Sequence, residues 1–221
     1  MNSNLTRNPL HRSTLVALLF AAGAIAPLAQ ARADGTGLYV GAGALFGNVS
    51  DLGGKVDAAL ASQGLAAQTS ADSSSTNPGL RLGYQFTPNF ALEGSYDRLG
   101  SLVLAGNVGT GLVSGSWKSW GLGLHAVGIL PFASKWSLYG RLGVERWHTA
   151  LTMSPAAGGP PFVSAGDDST GLAVGAGVSY SLTRNVDATA ELTHYTQIGD
   201  PASTGRTGMN QLSLGLRYHF R

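Results

Sequence analysis

The sequence predicts an all-β fold, a single eight-stranded antiparallel up-and-down transmembrane β-barrel, and three observations carry that prediction. Apolar residues alternate with polar or small ones in eight separate segments. The connections between these segments alternate between short turns and long stretches rich in Gly, Ser, Ala, Asp and Pro. The chain has 32 glycines, mostly inside the alternating segments, and no cysteine, which argues against a helical or disulfide-stapled protein. A period of two puts alternate side chains on opposite faces of a strand. An apolar face suits lipid and a polar face suits a barrel lumen.

The first segment begins at Gly37, where Leu38, Val40, Ala42, Ala44 and Phe46 oppose Gly41, Gly43 and Gly47. Leu80, Leu82, Tyr84 and Phe86 then alternate with Arg81, Gly83 and Gln85. A turn at Thr87-Pro-Asn89 follows, because Pro presets φ and Asn bonds its own backbone. Phe90, Leu92, Gly94 and Tyr96 next oppose Ala91, Glu93, Ser95 and Asp97, completing a hairpin with matched faces. In the fourth segment, Trp117 to Leu130, the residues Trp120, Leu122, Leu124 and Ala126 oppose Ser119, Gly121, Gly123 and His125. Residues 131–135 turn the chain, and Leu138, Leu142 and Val144 then oppose Tyr139, Arg141, Gly143 and Glu145.

The sixth segment sets Leu172, Val174, Ala176, Val178 and Tyr180 against Gly171, Gly175, Gly177 and Ser179. After Thr183-Arg-Asn185, Val186, Ala188, Ala190 and Leu192 oppose Asp187, Thr189, Glu191 and Thr193. The last segment has the cleanest dyad: Leu212, Leu214, Leu216, Tyr218 and Phe220 against Ser213, Gly215, Arg217 and His219. Long loops are expected at 48–77, 100–115, 151–169 and 199–208, with a short helix over 56–67 in the first. Two aromatic belts are expected: Phe86, Phe90, Trp136, Tyr180 and Phe220 beside the short turns, and Phe46, Tyr96, Trp120 and Trp147 toward the long loops. A soluble β-sandwich also alternates but has no need of two belts.

Residues 1–33 are expected to be a cleaved signal peptide, leaving 34–221 as the barrel domain. Arg7 and Arg12 precede an apolar run from Leu15 to Ala26, and Ala31-Arg-Ala33 supplies small residues for the cleavage site. Cleavage removes three of the 14 Lys and Arg and none of the 12 Asp and Glu, leaving 11 against 12. No basic surface for nucleic acid is then expected.

The chain resembles the eight-stranded transmembrane domain of the OmpA-like barrel family. The residues that carry this are Gly37-Leu-Tyr-Val-Gly-Ala-Gly43, Leu82-Gly-Tyr-Gln-Phe-Thr-Pro-Asn-Phe-Ala-Leu-Glu93, Leu138-Tyr-Gly-Arg-Leu-Gly143 and Gly215-Leu-Arg-Tyr-His-Phe220. The resemblance implies the outer membrane of a Gram-negative bacterium, with its lipids and lipopolysaccharide as surroundings. It implies the barrel-assembly machinery as a partner in biogenesis, with Tyr218 and Phe220 as the assembly signal. Family members usually end in Phe, whereas here Arg221 follows Phe220. The chain is expected to end with its barrel, so the peptidoglycan anchoring of the family is not carried over.

Eight strands enclose a space that side chains fill. The ionisable residues expected to face it are Arg81, Glu93, Asp97, His125, Arg141, Glu145, Glu191, Arg217 and His219. Charges in a narrow lumen must be paired to offset desolvation, so an internal salt-bridge network is expected, acting either as a plug or as a gate. The expected role is structural or interactive: envelope integrity, or adhesion through long loops that meet a surface, host or phage ligand. The alternative is a narrow porin-like channel for small solutes or ions. A lipid A-modifying enzyme is more remote, since within 34–221 no His is followed two residues on by Ser. No catalytic, cofactor-binding or metal-ligating set is expected. Gly121-Leu-Gly123 and Gly175-Ala-Gly177 resemble pieces of a dinucleotide fingerprint but open no helix. Asp167 and Asp168, with Asp51, Asp57 and Asp72, are read as solvated loop carboxylates rather than a cation site.

Overall fold

A computed structural model describes residues 36–49, 51–71 and 74–220, so the expected signal peptide, Asp72 and Arg221 lie outside the described residues. Strand β1 (Gly37–Val49) leads to helix α1 (Leu52–Ser62) and a short strand β2 (Ala67–Ala71). Then follow β3 (Ser74–Thr87), β4 (Phe90–Val108), β5 (Gly111–Pro131), β6 (Trp136–Pro155), β7 (Val163–Ser181), β8 (Val186–Ile198) and β9 (Thr207–His219). All strands except β2 pair with their neighbours in antiparallel order, and β9 pairs back onto β1. The result is a closed eight-stranded up-and-down barrel. Closure is what the solvent demands: lipid offers no partner for a backbone N–H or C=O, so the sheet must have no edge there.

The closing seam runs from Tyr39↔His219 to Val49↔Met209 and sets Gly43 opposite Gly215. A Cβ on Gly43 would stand 2.5 Å from the Leu214 carbonyl oxygen. Only a residue without a side chain lets these two strands approach as they do.

The short turns share a device. Asn89 donates its side-chain amide to the Ile129 carbonyl at 2.9 Å, and Asn185 donates to the His219 carbonyl at 2.8 Å. The backbone N–H groups of Ile129 and His219 return to the carbonyls of the same two asparagines, each at 2.8 Å. Each Thr-x-Asn turn thereby ties one hairpin to the next.

Two of the four expected long loops are instead strand. β4 and β5 continue through 100–115 to a tight turn at Gly109-Thr110, and β6 and β7 run on until only residues 156–162 connect them. These stretches also alternate, with the faces exchanged. Leu102, Leu104, Val113, Leu151, Met153 and Val163 point inward and are buried, whereas Ser101, Asn107, Ser114, Lys118, Thr152 and Ser164 are exposed on the outside. The polar outer face is what made the composition resemble a loop. On β4, Leu99 is an extra residue between the pairs Arg98↔Trp120 and Gly100↔Ser119, and this bulge moves the inward set from odd to even numbers.

The first expected loop does hold a helix, Leu52–Ser62, which begins and ends about a turn earlier than 56–67. Its buried residues Leu52, Val56, Ala59 and Leu60 lie on one face and pack on the apolar interior below. β2 lies along the upper part of β4, and Asp57 of α1 accepts from the Thr69 backbone N–H at 3.0 Å and its hydroxyl at 2.7 Å. The 199–206 segment remains a loop. It is clasped to α1 by Gln63, which donates to the Ala202 carbonyl at 3.1 Å, and to the barrel interior by the Trp117 indole on the Thr204 carbonyl at 3.2 Å.

Two outcomes test this architecture. Gly43→Val is expected to stop seam closure and abolish the heat-modifiable gel shift of the refolded protein, while Ala42→Val, on the outward face, leaves it intact. Asn185→Ala is expected to lower unfolding stability in urea by about 1 kcal/mol, the usual worth of one such hydrogen bond.

Candidate functional site

The inner face of the membrane-spanning half is polar because one parity of every strand points there. Arg81 of β3, Glu93 and Asp97 of β4, His125 of β5, Arg141 and Glu145 of β6, Glu191 of β8 and Arg217 of β9 all lie on it. Glu93 is the hub. Its carboxylate lies 3.0 Å from the Arg141 guanidinium and 3.7 Å from those of Arg81 and Arg217, and it accepts from the Tyr39 hydroxyl at 2.9 Å. Arg141 also donates to Glu191 at 2.8 Å, and Thr193 donates to the same carboxylate oxygen. Arg81 makes a forked contact with Asp97, whose other partner is the Tyr195 hydroxyl at 2.6 Å. Arg217 stacks over Tyr39, 4.7 Å from the ring centroid, and over Tyr139 at 5.3 Å.

The arginine side of this network was readable from parity, and so was most of the acid side. Tyr39, Tyr139, Tyr195, Ser95 and Asp187 complete it, and the signal that would have found them is the same inward parity. His219 contacts Asp187 at 3.1 Å. Five inward carboxylates therefore meet three arginines, with His125 against Glu145 and His219 against Asp187.

A second cluster lies against the wall. His125 Nε2 is 2.9 Å from Ser95 Oγ and 3.1 Å from Glu145, and Ser95 donates to Glu145 at 3.0 Å. Ser, His and an acid are in mutual reach although no two are close in sequence. Both the hydroxyl and the carboxylate meet the same ring nitrogen, and Nδ1 has no hydrogen-bond partner. A hydrolytic relay needs the acid on one nitrogen and the nucleophile on the other, so this triangle is a packing arrangement. Gly123 makes room for it: a Cβ there would stand 2.0 Å from Glu145 and 2.3 Å from His125. The Gly-x-Gly spacing on β5 thus serves the lumen rather than a nucleotide.

Of the expected belt residues, Phe86, Phe90, Trp136, Tyr180 and Phe220 gather beside the short turns, with Trp136 and Tyr180 4.7 Å apart. Tyr218 packs edge-on against Phe220 at 5.0 Å on the outward face. Phe46, Tyr96 and Trp120 are exposed at the other end. Trp147 is a correction. It is fully buried inside the barrel, edge-on to Tyr195 at 5.2 Å. It shares the odd parity of Arg141 and Glu145, which places it in the lumen whatever its aromatic character.

The interior is closed at two levels. The charged network leaves a cavity of about 30 Å³ beside Arg81, Glu93, Glu191 and Arg217, room for at least one water molecule. Above it Trp117, Trp147, Leu151, Met153, Ile198 and Met209 form an apolar core roofed by α1. Among the described residues the loop carboxylates do not converge: Asp57 bonds Thr69, Asp168 bonds Arg146 and His148, and Asp167 caps the Asp168 N–H.

Glu93→Ala would leave three arginine side chains without their common partner. The expected loss is roughly 3–5 kcal/mol of unfolding stability in detergent, the usual effect of breaking a buried pair from one side. Urea titration checks it, and a loss near zero would mean that lumen water screens the network.

Comparison with known proteins agrees with this geometry. No curated protein shows significant sequence similarity to the chain. Among solved structures, Ail of Yersinia pestis aligns with TM-score 0.51 and 18% identity over 83% of this chain and 99% of its own; Ail has also been crystallised with the heparin analogue sucrose octasulfate. Neisserial surface protein A aligns with TM-score 0.51 and 21% identity over 83% of this chain and 97% of its own. OprG from Pseudomonas aeruginosa gives 0.51 and 15% over 83% and 95%. At these identities the likeness is one of fold. A model of the outer membrane protein beta-barrel domain matches residues 15–220, and the chain belongs to that family, as an OmpA-like eight-stranded outer-membrane barrel.

Proposed function

We propose that the protein is a non-conducting outer-membrane barrel that acts through its exterior, either in envelope integrity or in contact with a surface, host or phage ligand. The observation that carries this reading is the double closure of the interior. The charged plug occupies the membrane-spanning half, and the apolar core above it, packed under α1, lies across the way from one end to the other. A porin-like role would require both layers to rearrange together, and the upper one is packed side chain to side chain. The inner Ser95–His125–Glu145 triangle likewise favours no lipid-modifying chemistry.

The surface offered to a ligand differs from the one the composition suggested. Two of the four expected long loops are paired strands that rise above the membrane, under a helix and a clasped loop. Such a crown presents a preorganised face, which lowers the ordering cost of binding. Ail with its heparin analogue shows that a barrel of this fold can take a polyanion. At the crown of this chain Lys55 and Arg206 stand against Asp51, Asp57, Asp167 and Asp200, so a neutral or cationic partner fits it better.

The test is planar-bilayer conductance of refolded residues 34–221, after the gel shift has verified folding. A silent barrel is expected, and Arg141→Ala should stay silent because the upper core is untouched. Reproducible single-channel steps that change with Arg141 or Glu93 would replace this reading with the channel.

A further inference from the structure

Among the described residues, the cations on the outward face of the strands themselves are confined to one side. Arg98 of β4, Lys118 of β5 and Arg146 of β6 are all exposed on the outward face of neighbouring strands. Arg98 pairs with Trp120, and Trp120 pairs with His148. Lys118 is two residues above Trp120 on its strand, and Arg146 two residues below His148 on the next. Strands lie ~4.8 Å apart and same-face residues ~7 Å apart along a strand, so Lys118 and Arg146 differ in height by ~14 Å with Arg98 at the level between them, a span that three long side chains can cover around one phosphorylated headgroup. Asp168 on β7 lies between two of the side chains, 3.0 Å from Arg146 and 2.8 Å from His148. It is the one acid on the outward wall among the described residues, and it leaves the patch positive. At the same end of the other four strands the outward residues include Asn48, Thr76, His194 and Asn210, with no Lys or Arg.

The position of this patch identifies its ligand. Trp120, 40% exposed, belongs to the aromatic girdle, with Tyr96 at 6.2 Å and the His148 ring at 5.6 Å. Immediately below it the same strands turn Leu122, Leu124, Leu142, Val144, Leu172 and Val174 to the outside. Above it the outer wall is mostly polar, with Ser101, Asn107, Ser114, Thr152 and Ser164 exposed beside Val103 and Leu112. The three cations therefore sit where the hydrocarbon of the outer leaflet ends and the headgroups begin. Long cationic side chains are also common as simple interface anchors. Anchoring alone gives no reason for three of them on adjacent strands and none on the opposite wall.

We propose that Arg98, Lys118 and Arg146 form a binding site for the phosphate groups of a phosphorylated glycolipid, with its acyl chains lying along the apolar wall of β5–β7. Guanidinium groups bond phosphate oxygens in pairs and lysine adds a point charge. Asp168 holds Arg146 and His148 in place. A soluble phosphate would meet the same cations but gain nothing from the leucine and valine wall.

The full mature chain, refolded in detergent and verified by its gel shift, is titrated with bisphosphoryl lipid A and followed by native mass spectrometry. One retained lipid A per barrel is expected, with monophosphoryl lipid A weaker by severalfold. The R98Q/K118Q/R146Q variant should lose at least tenfold in apparent affinity. K135Q/R184Q, which removes cations beside the short turns, should lose none. If the triple variant fails to fold, K118Q alone is expected to weaken retention about threefold. Equal retention by the patch variants overturns the proposal. So does equal retention of phosphatidylglycerol, which would make the cations a general anionic anchor. Competition by millimolar inorganic phosphate as strong as that by lipid A would reassign the site to a small anion.

Discussion

The structure rests on the absence of hydrogen-bonding solvent around its middle. Within the hydrocarbon every backbone polar group must find a partner in the protein, which a sheet achieves only by closing on itself. The β1–β9 seam accomplishes this, and Gly43 opposite Gly215 lets it form. Once eight strands are closed, the interior is narrow, one side chain of each pair must enter it, and what enters must be mutually satisfied.

That requirement explains the order inside. Glu93 gathers three arginines and a tyrosine, and Arg141 joins it to Glu191. The same strands then leave the membrane and exchange their faces. Below, apolar residues point out and charged ones in; above, Leu102, Leu151 and Met153 point in and serines and threonines point out. Each half obeys the one rule that apolar surface avoids water. The reversal occurs because the surrounding solvent changes. α1 and the clasped 199–206 loop then close the upper half as a helix and a loop close any small water-facing core.

Two separate surfaces follow. On the proposed reading the interior serves stability and recognition falls to the outside: the crown facing the medium, and the wall where headgroups touch the barrel. The one-sided placement of Arg98, Lys118 and Arg146 has meaning only once the strands are curled into a barrel with a lipid-facing exterior.

Strand positions, the short turns and the inward charges were legible in the sequence because a strand's period of two maps directly onto a barrel's two sides. From Arg81 to Arg217 the lumen set needed no more than parity, and the C-terminal dyad pointed to a membrane barrel. Tertiary structure alone decided the rest, each time through a neighbour distant in sequence. Residues 100–115 and 151–169 looked like loops because their outer faces are polar, and only their pairing shows the apolar inner face. Trp147 was read as a girdle residue against its own parity, and the ring of Tyr195 on another strand is the inner partner it meets. The bulge at Leu99 shifts the parity that the reading depended on. Ser95, His125 and Glu145 meet across three strands. Periodicity along one strand reports which side a residue faces; which residues share that side is set by register and closure, and these are properties of the whole sheet.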